Sequence, residues 1–145
     1  MTPKVSIVVP VYKVEPYVER CARSLFGQSW PEIEYVFVDD GTPDNSIGII
    51  QTVLEEYPHR RDSVKIIHQP NGGLARARVS GMAHVTGDYV IHVDSDDWVE
   101  PDYIESMVSA ALEQDADVVI CDYVKELADR SIVRPVSYDG GNGLE

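Results

Sequence analysis

Tyr89-Val90-Ile91-His92-Val93-Asp94-Ser95-Asp96-Asp97-Trp98 is the stretch from which the fold of this 145-residue chain can be inferred. Its first half is a short apolar run, which predicts a buried strand, and its second half places three carboxylates within four residues. Two unit charges ~4 Å apart repel each other by about 4 kcal/mol at an effective dielectric of ~20. A divalent cation would offset that repulsion, whereas the simpler interpretation is a solvated acidic loop after a strand.

Apolar runs and helical patterns alternate along the rest of the chain. Further strands are predicted at residues 5–9, 33–38, 64–67 and 117–123, with 132–138 as one more candidate. Helices are predicted at 18–26, after Thr42 as N-cap and Pro43 as first helical residue, at 74–84, and from Pro101. Strands of this kind predict a doubly wound α/β fold, in which a mainly parallel sheet has helices on both faces.

Ligands of doubly wound sheets bind beyond the carboxyl ends of the strands. Four groups of residues follow predicted strands and should therefore meet at one edge: Tyr12, Asp39-Asp40, the Asn71-Gly72-Gly73 turn and Asp94 to Asp97. On the third helix, Arg78 falls within the apolar face that Ala77 and Gly81 help to form. Its guanidinium stays protonated, which favours an anionic partner, either a phosphate or one of the carboxylates. The alternative is an arginine that snorkels to solvent or pairs with a structural carboxylate. His92, inside the apolar run, is interpreted as a core residue.

The composition limits the partners and the compartment. The net charge of −13 argues against nucleic acid or an anionic membrane surface as a direct partner, because both require a basic footprint. Cys21 and Cys121 lie far apart without a pairing pattern, which indicates reduced thiols. The sequence shows neither a signal-peptide pattern nor the ~18 apolar residues of a membrane span. We therefore expect a cytoplasmic location, at the inner face of the membrane if other regions attach the protein there.

Four motifs together resemble the family-2 glycosyltransferases, which have the GT-A nucleotide-diphospho-sugar transferase fold. They are Val8-Val9-Pro10-Val11-Tyr12, Val38-Asp39-Asp40-Gly41, Asn71-Gly72-Gly73-Leu74 followed by Ala77-Arg78, and Asp94-Ser95-Asp96-Asp97. Each motif alone is weak, but their shared order and spacing over about residues 4–125 are specific. The resemblance implies a partial donor-binding domain at 1–125, followed by a C-terminal strand or tail at 126–145.

The resemblance also implies a function and a set of site residues. The expected reaction moves a sugar from a nucleotide-diphospho-sugar, most often a UDP-sugar, to a hydroxyl of a glycan or lipid-linked acceptor, with inversion, in polysaccharide or cell-envelope glycan synthesis. The implied donor-binding residues are Pro10, Val11, Tyr12, Glu15, Asp39, Asp40, Asn71, Gly72, Gly73, Arg78, Asp94 and Ser95. The implied Mn²⁺ or Mg²⁺ ligands are Asp96, with Asp94 and Asp97. A divalent cation suits this chemistry because it stabilises the charge that develops on a leaving diphosphate.

The chain departs from the family pattern in several places. Lys13 and Val79 stand where the family usually has asparagine, and no residue matches the general base. We expect that base, together with the acceptor-binding region, beyond Glu145, so this stretch alone is a candidate for an inactive portion. One alternative function is a nucleotide-sugar-binding module without catalysis. Another is a receiver-like signalling domain that binds Mg²⁺, although receivers place their acidic pair after the first strand and only Lys125 fits their pattern.

Overall fold

A computed structural model describes residues 2–136 of the chain, which divide into two compact units, Met1–Glu105 and Ser106–Glu145. The strands of the first unit are β1 (Val5–Val11), β2 (Ile33–Asp39), β3 (Val64–His68) and β4 (Tyr89–His92). The helices are α1 (Val18–Phe26), α2 (Ser46–Glu55), α3 (Leu74–Met82) and α4 (Tyr103–Gln114), with a 3-10 helix at Pro58–Ser63. A hairpin of β5 (Tyr123–Glu126) and β6 (Ser131–Arg134) belongs to the second unit.

The four strands of the first unit form one sheet in the order β3-β2-β1-β4, and all neighbours are parallel. The chain winds outward from β1 through β2 to β3, and α3 then carries it back to the other side of β1. The winding direction therefore reverses between β1 and β4, which opens a crevice beyond their carboxyl ends. This order confirms the predicted doubly wound fold and differs from the 2-1-3-4-5 order of the receiver fold.

Helices cover both faces of the sheet. Side chains alternate between the two faces along each strand. One face carries the buried cluster of Val8, Val36, Val38 and Ala77, the last of which belongs to α3. On the other face, Phe26 of α1 packs edge-on against Tyr35 and Phe37, with ring centroids 5.1 and 5.9 Å apart. The predicted apolar stripe of α1 is therefore confirmed.

Helix α3 packs closely on the sheet through Gly81. A Cβ atom at this position would lie 2.4 Å from Cγ1 of Val8 and 3.2 Å from Cγ2 of Val38, so the contact has room for glycine alone. Ala77 and Gly81 are buried, whereas the side chains of Leu74 and Met82 in the same helix are 50% and 42% exposed. The narrow contact explains this difference, because only the residues nearest the sheet are covered.

A buried carboxylate joins three strands at the amino edge of the sheet. Glu34 of β2 is 3% exposed and accepts hydrogen bonds from Ser6 Oγ at 2.5 Å and from both the backbone N–H and Oγ1 of Thr86. It also forms ion pairs with Lys4 and Lys65, each at 3.2 Å. Burial alone would raise the pKa of Glu34, but these hydrogen bonds lower it to about 2. The carboxylate therefore fastens the turn that leads into β4.

The predicted start of α2 and the predicted strand at 117–123 are wrong. Helix α2 begins at Ser46 rather than Pro43, because the side chain of Asp44 accepts hydrogen bonds from Oγ1 of Thr42 and from the N–H of Ser46. Residues 117–122 form no strand, and the antiparallel β5 begins only at Tyr123. An apolar run forms a strand only where a neighbouring strand hydrogen-bonds to its backbone. In this hairpin the neighbouring strand is β6, which pairs with residues 123–126 alone.

The predicted strand at 132–138 corresponds to β6 at Ser131–Arg134, while positions 137 and 138 lie outside the described residues. Among residues 2–136, no helix is both long enough and apolar enough to span a bilayer.

Candidate functional site

The loops after β1 and β2 are joined at the carboxyl edge of the sheet. The backbone N–H of Lys13 donates to Oγ1 of Thr42 at 2.8 Å, and the N–H of Asp40 donates to the carbonyl of Val11 at 3.0 Å. Tyr12 lies between these two bonds in the sequence and is 40% exposed. Its ring is therefore presented to solvent beside the Asp39-Asp40 loop. Pro10 and Val11 are buried at the carboxyl end of β1, directly before this loop.

Asp44 is the acceptor that holds the two loops together. Its carboxylate accepts hydrogen bonds from Oγ1 of Thr42 at 2.8 Å, from Oγ of Ser46 at 2.6 Å and from the backbone N–H of Glu15 at 3.2 Å. Burial alone would raise the pKa of Asp44, yet these bonds lower it to about 2. Glu15, predicted to bind the donor, instead accepts the N–H of Asn45 at 2.9 Å in this structure. Its contact with a donor stays a prediction.

Asp40 anchors the glycine turn that precedes α3. Its side chain is nearly fully buried and accepts the backbone N–H groups of Gly72 at 2.8 Å and Gly73 at 2.9 Å. Gln69 Nε2 donates to it at 2.7 Å, and Asn71 Nδ2 donates to its carbonyl at 3.1 Å. Burial would raise the pKa of Asp40, but the bonds from Gln69 and the two glycines outweigh burial and lower it. The predicted Asn71-Gly72-Gly73 turn therefore depends on a carboxylate from the neighbouring strand.

Gly73 is needed in this turn for its backbone conformation. Its φ of +88° lies in the left-handed region, which side chains disfavour. Open space surrounds the position of an added Cβ, so sterics with neighbours do not explain the glycine.

Asp39 is held by two partners, one of which the sequence did not suggest. Its Oδ1 accepts the N–H of Thr42 at 2.9 Å, and its Oδ2 lies 2.8 Å from Nδ1 of His68. His68 is the last residue of β3, next to the end of β2, and its side chain is exposed. The sequence offered one indication that His68 lies at this edge, because it directly follows the predicted strand at 64–67. His68 therefore belongs to the same edge as Tyr12 and Asp39.

The anionic partner that Arg78 was predicted to need is Asp94. The Arg78 Nη2 lies 2.7 Å from the Asp94 Oδ1, and both side chains are only partly exposed. The Nε of Arg78 is buried without a hydrogen-bond partner. His92 is exposed rather than in the core, because β4 is the edge of the sheet in this unit. Partial burial and the charge of Arg78 lower the pKa of His92.

The rest of the acidic loop divides into buried and exposed residues. Ser95 is 4% exposed, whereas Asp96 and Asp97 are exposed. Desolvation and then the charges of Asp96 and Asp94 raise the pKa of Asp97, which is the repulsion expected from the sequence. All three carboxylates also lie close enough to Cys21 to add to the effect of its burial, and its pKa rises to about 12.

The donor chemistry of this loop fits a hard divalent cation with other oxygens completing its coordination. Carboxylates are the ligands that Mg²⁺ prefers, and it is commonly held by one or two of them together with substrate phosphates. Within residues 2–136, no three His, Cys, Asp or Glu side chains are arranged to hold a metal by themselves. Asp94 forms a salt bridge with Arg78, so the carboxylates of this loop that are open to a ligand are those of Asp96 and Asp97.

The sequence profile described as Glycosyl transferase family 2 matches residues 6–138. The chain belongs to this family. It is 39% identical over 144 residues to the uncharacterized glycosyltransferase EpsJ of Bacillus subtilis (strain 168). This alignment covers 99% of this chain and 41% of that protein. It is 41% identical over 128 residues to the putative glycosyltransferase EpsH of the same organism, covering 88% of this chain and 36% of that protein. The chain therefore spans well under half the length of these relatives.

A solved structure of residues 1–349 of S. aureus TarS in complex with UDP-GlcNAc has the same fold. The match has a TM-score of 0.76 and 27% identity, and covers 89% of this chain and 36% of that one. The Pyrobaculum calidifontis mannosyltransferase PcManGT, solved with GDP-Man and Mn²⁺, matches with a TM-score of 0.69 and 24% identity over 77% of this chain and 33% of that one. The family-2 chain therefore has the GT-A fold that its motifs predicted.

Proposed function

We propose that this chain is the donor-binding portion of a glycosyltransferase that takes its sugar from a UDP-sugar. One observation carries the proposal: the acidic loop after β4 meets α3 through the 2.7 Å contact of Arg78 and Asp94, at the point where the sheet reverses. In this proposal, one crevice is lined by the guanidinium of Arg78, the exposed carboxylates and the exposed ring of Tyr12. The complexes of TarS with UDP and with UDP-GlcNAc support UDP as the nucleotide.

Each part of the edge has a distinct role in this proposal. The exposed ring of Tyr12 packs against the base, and Asp39, held by Thr42 and His68, accepts hydrogen bonds from the base or ribose. Asp40 contributes by fixing the glycine turn. Arg78 supplies positive charge toward the diphosphate.

Asp96, with Asp97 beside it, would hold Mn²⁺ or Mg²⁺, while Asp94 remains close to Arg78. When bound, such a cation neutralises charge on the leaving nucleoside diphosphate. The protein's own contribution is to keep two carboxylates exposed and adjacent so that phosphate oxygens can complete the coordination. Transfer with inversion to a glycan or lipid-linked acceptor, in polysaccharide or cell-envelope glycan synthesis, is the reaction we propose for the whole protein.

Calorimetric titration of UDP with Mn²⁺ and with EDTA tests the donor site. We expect affinity to rise about tenfold or more with Mn²⁺, equivalent to ~1.4 kcal/mol, and Asp96→Asn to remove that gain. Asp62→Asn, an exposed change in the 3-10 helix before β3, is the matched control. Equal affinity with Mn²⁺ and EDTA would refute the metal role, and no binding in either buffer would refute the donor site.

A nucleotide-sugar-binding module without catalysis is the competing proposal. It is favoured by the site itself, in which Asp39, Asp40, Asp44 and Asp94 are all engaged by protein partners. Prolonged incubation with UDP-sugars and a panel of acceptors separates the two, because hydrolysis or transfer would contradict a pure binder. A cytoplasmic location is part of the main proposal and rests on the free thiols of Cys21 and Cys121.

A further inference from the structure

The acidic loop is fastened along α1, an element that contributes no residue to the predicted site. Three hydrogen bonds join the backbone of residues 94–100 to α1 and the residues just after it: from Cys21 Sγ to the Asp94 carbonyl at 3.8 Å, from the Val99 N–H to Ser24 Oγ at 3.3 Å, and from Gln28 Nε2 to the Glu100 carbonyl at 2.6 Å. These bonds hold the two ends of the segment. The exposed carboxylates of Asp96 and Asp97 lie between them.

A stacked pair holds the segment near its middle. The guanidinium carbon of Arg20 lies 3.3 Å from the ring centroid of Trp98, the residue directly after Asp97. The planar guanidinium is suited to stack on an aromatic face, and such a cation–π contact is favourable even at an exposed site. Arg20 precedes Cys21 in α1, so the stack and the thiol contact act on neighbouring points of the same helix turn.

The loop needs such a fastening because its own charges push it apart. Asp96 and Asp97 are adjacent and exposed, and neither forms an ion pair within residues 2–136. Arg23, three residues beyond Arg20 in α1, pairs instead with Glu19 and Glu56 at 3.0 and 2.7 Å. A loop that is ordered before a ligand arrives loses less conformational entropy on binding. A fixed Trp98 therefore restricts the conformations of the two carboxylates before it, so that they are ordered before a ligand binds.

We propose that Arg20 is a positioning residue for the donor site, acting through Trp98 to hold Asp96 and Asp97 in the arrangement that accepts a divalent cation with a nucleoside diphosphate. The effect on donor binding rests on the proposed function. The fastening of the loop does not, because the stack is present without any ligand.

Quenching of Trp98 fluorescence by acrylamide tests the fastening without a ligand. Trp98 and Trp30 are the two tryptophans of the chain, so a Trp30→Phe background isolates the signal of Trp98. We expect Arg20→Ala to raise the quenching constant of Trp98 about twofold, in keeping with loss of one cation–π contact. Arg23→Ala removes the same side chain from the same helix and should leave the constant unchanged. Equal quenching in the Arg20 and Arg23 variants would overturn the proposal.

Titration of UDP in the presence of Mn²⁺, by calorimetry, tests the consequence for the site. Arg20→Ala should weaken binding about two- to fivefold, as expected for an exposed cation–π contact, while Arg23→Ala should not. Arg20→Lys keeps the charge but loses the planar stack, so a full recovery by lysine would mean that charge alone matters and would overturn the positioning role. Matching melting temperatures of the two alanine variants would show that unfolding does not cause the difference.

The two proposals fail in different ways. A wild-type chain that does not bind UDP would overturn the donor site and the donor part of this inference, while the quenching result would still decide whether Arg20 fastens the loop. A chain that binds UDP equally well with Arg20 or alanine would overturn the inference and leave the donor site intact.

Discussion

Replacing Glu34 by glutamine tests how firmly the strand that carries the acidic loop is set in the sheet. The carboxylate accepts bonds from Ser6 and Thr86 and pairs with Lys4 and Lys65, so it connects β1, β2 and β3 to the turn before β4. Glutamine keeps the size of the side chain but removes the charge. It also replaces one acceptor oxygen by an NH₂ group, which cannot accept the hydrogen bonds that the surrounding donors make to the carboxylate.

The size of the effect follows from the pKa of Glu34. Its hydrogen bonds overcome the effect of burial and lower this pKa from 4.5 to about 2. At 1.36 kcal/mol per pKa unit, the charged form contributes about 3 kcal/mol to the free energy of unfolding. Because the folded pKa lies below the unfolded one, this contribution is complete above pH 4.5 and is lost as the pH falls from 4.5 towards 2.

Urea unfolding of the wild type and of Glu34→Gln, at pH 7 and at steps down to pH 3, measures this contribution. We expect a loss of about 3 kcal/mol for the variant at pH 7 and a shrinking difference below pH 4.5. Glu55→Gln, on the exposed surface of α2, controls for the loss of one negative charge. A difference that stays constant from pH 7 to pH 3 would refute the ionic explanation, and a difference no larger than that of the control would refute the network's role.

Three further perturbations address single positions. Lys13 has a φ of +53°, so Lys13→Asn should raise the free energy of unfolding by about 0.5–1 kcal/mol, and a lower melting temperature would contradict the strain. Cys21 is buried with a pKa of about 12, whereas Cys121 is exposed, so a thiol reagent at pH 8 should modify one thiol per folded chain quickly; two fast thiols would contradict the buried position. Gly81→Ala should destabilise the chain by about 1–3 kcal/mol, because its Cβ would lie 2.4 Å from Val8, and a neutral result in thermal unfolding would show that α3 can shift.

The parallel sheet and α1 could be predicted because burial imposes a clear pattern on them. Every residue of β1 is buried, and five buried residues recur on one side of α1. The start of α2 could not be predicted in this way. Thr42 and Pro43 match the preferences of a helix start, but the side chain of Asp44 bonds to Thr42, Ser46 and the N–H of Glu15. That last bond joins residues far apart in the sequence, which a local pattern does not reveal.

The prediction of a strand at 117–123 is wrong for a different reason. An apolar run indicates burial, but Val118 is 76% exposed and Ile120 is 58% exposed in this structure. A strand requires a neighbour to accept its backbone bonds, and in the second unit that neighbour is β6, which pairs only with residues 123–126. Sequence patterns describe side chains and carry little information about which neighbouring strand can pair with a given backbone segment.

The edge of the sheet at which the candidate site residues meet could be predicted from the sequence, but the contacts of its acids could not. The order of the strands brings Tyr12, Asp40 and Asp94 to one edge, as predicted from their positions after strands. Asp40 was predicted to bind the donor, yet its carboxylate accepts the backbone N–H groups of Gly72 and Gly73. Asp44, which the sequence did not single out, accepts the N–H of Glu15 in the same way. Only the tertiary contacts separate the acids that hold loops from the acids that face solvent.

This division of roles bears on why we propose a cation at the site. In the proposed site, a diphosphate would meet the exposed carboxylates of Asp96 and Asp97, while the guanidinium of Arg78 already lies 2.7 Å from Asp94. At an effective dielectric of ~20, each unlike or like pair of unit charges ~4 Å apart contributes about 4 kcal/mol. Turning Arg78 towards a phosphate therefore gains one attraction and gives up another, while the repulsion from the exposed carboxylates remains. Asp96 would hold a divalent cation whose charge would reverse that balance, and Asp96→Asn should therefore remove the metal dependence even though Arg78 is intact.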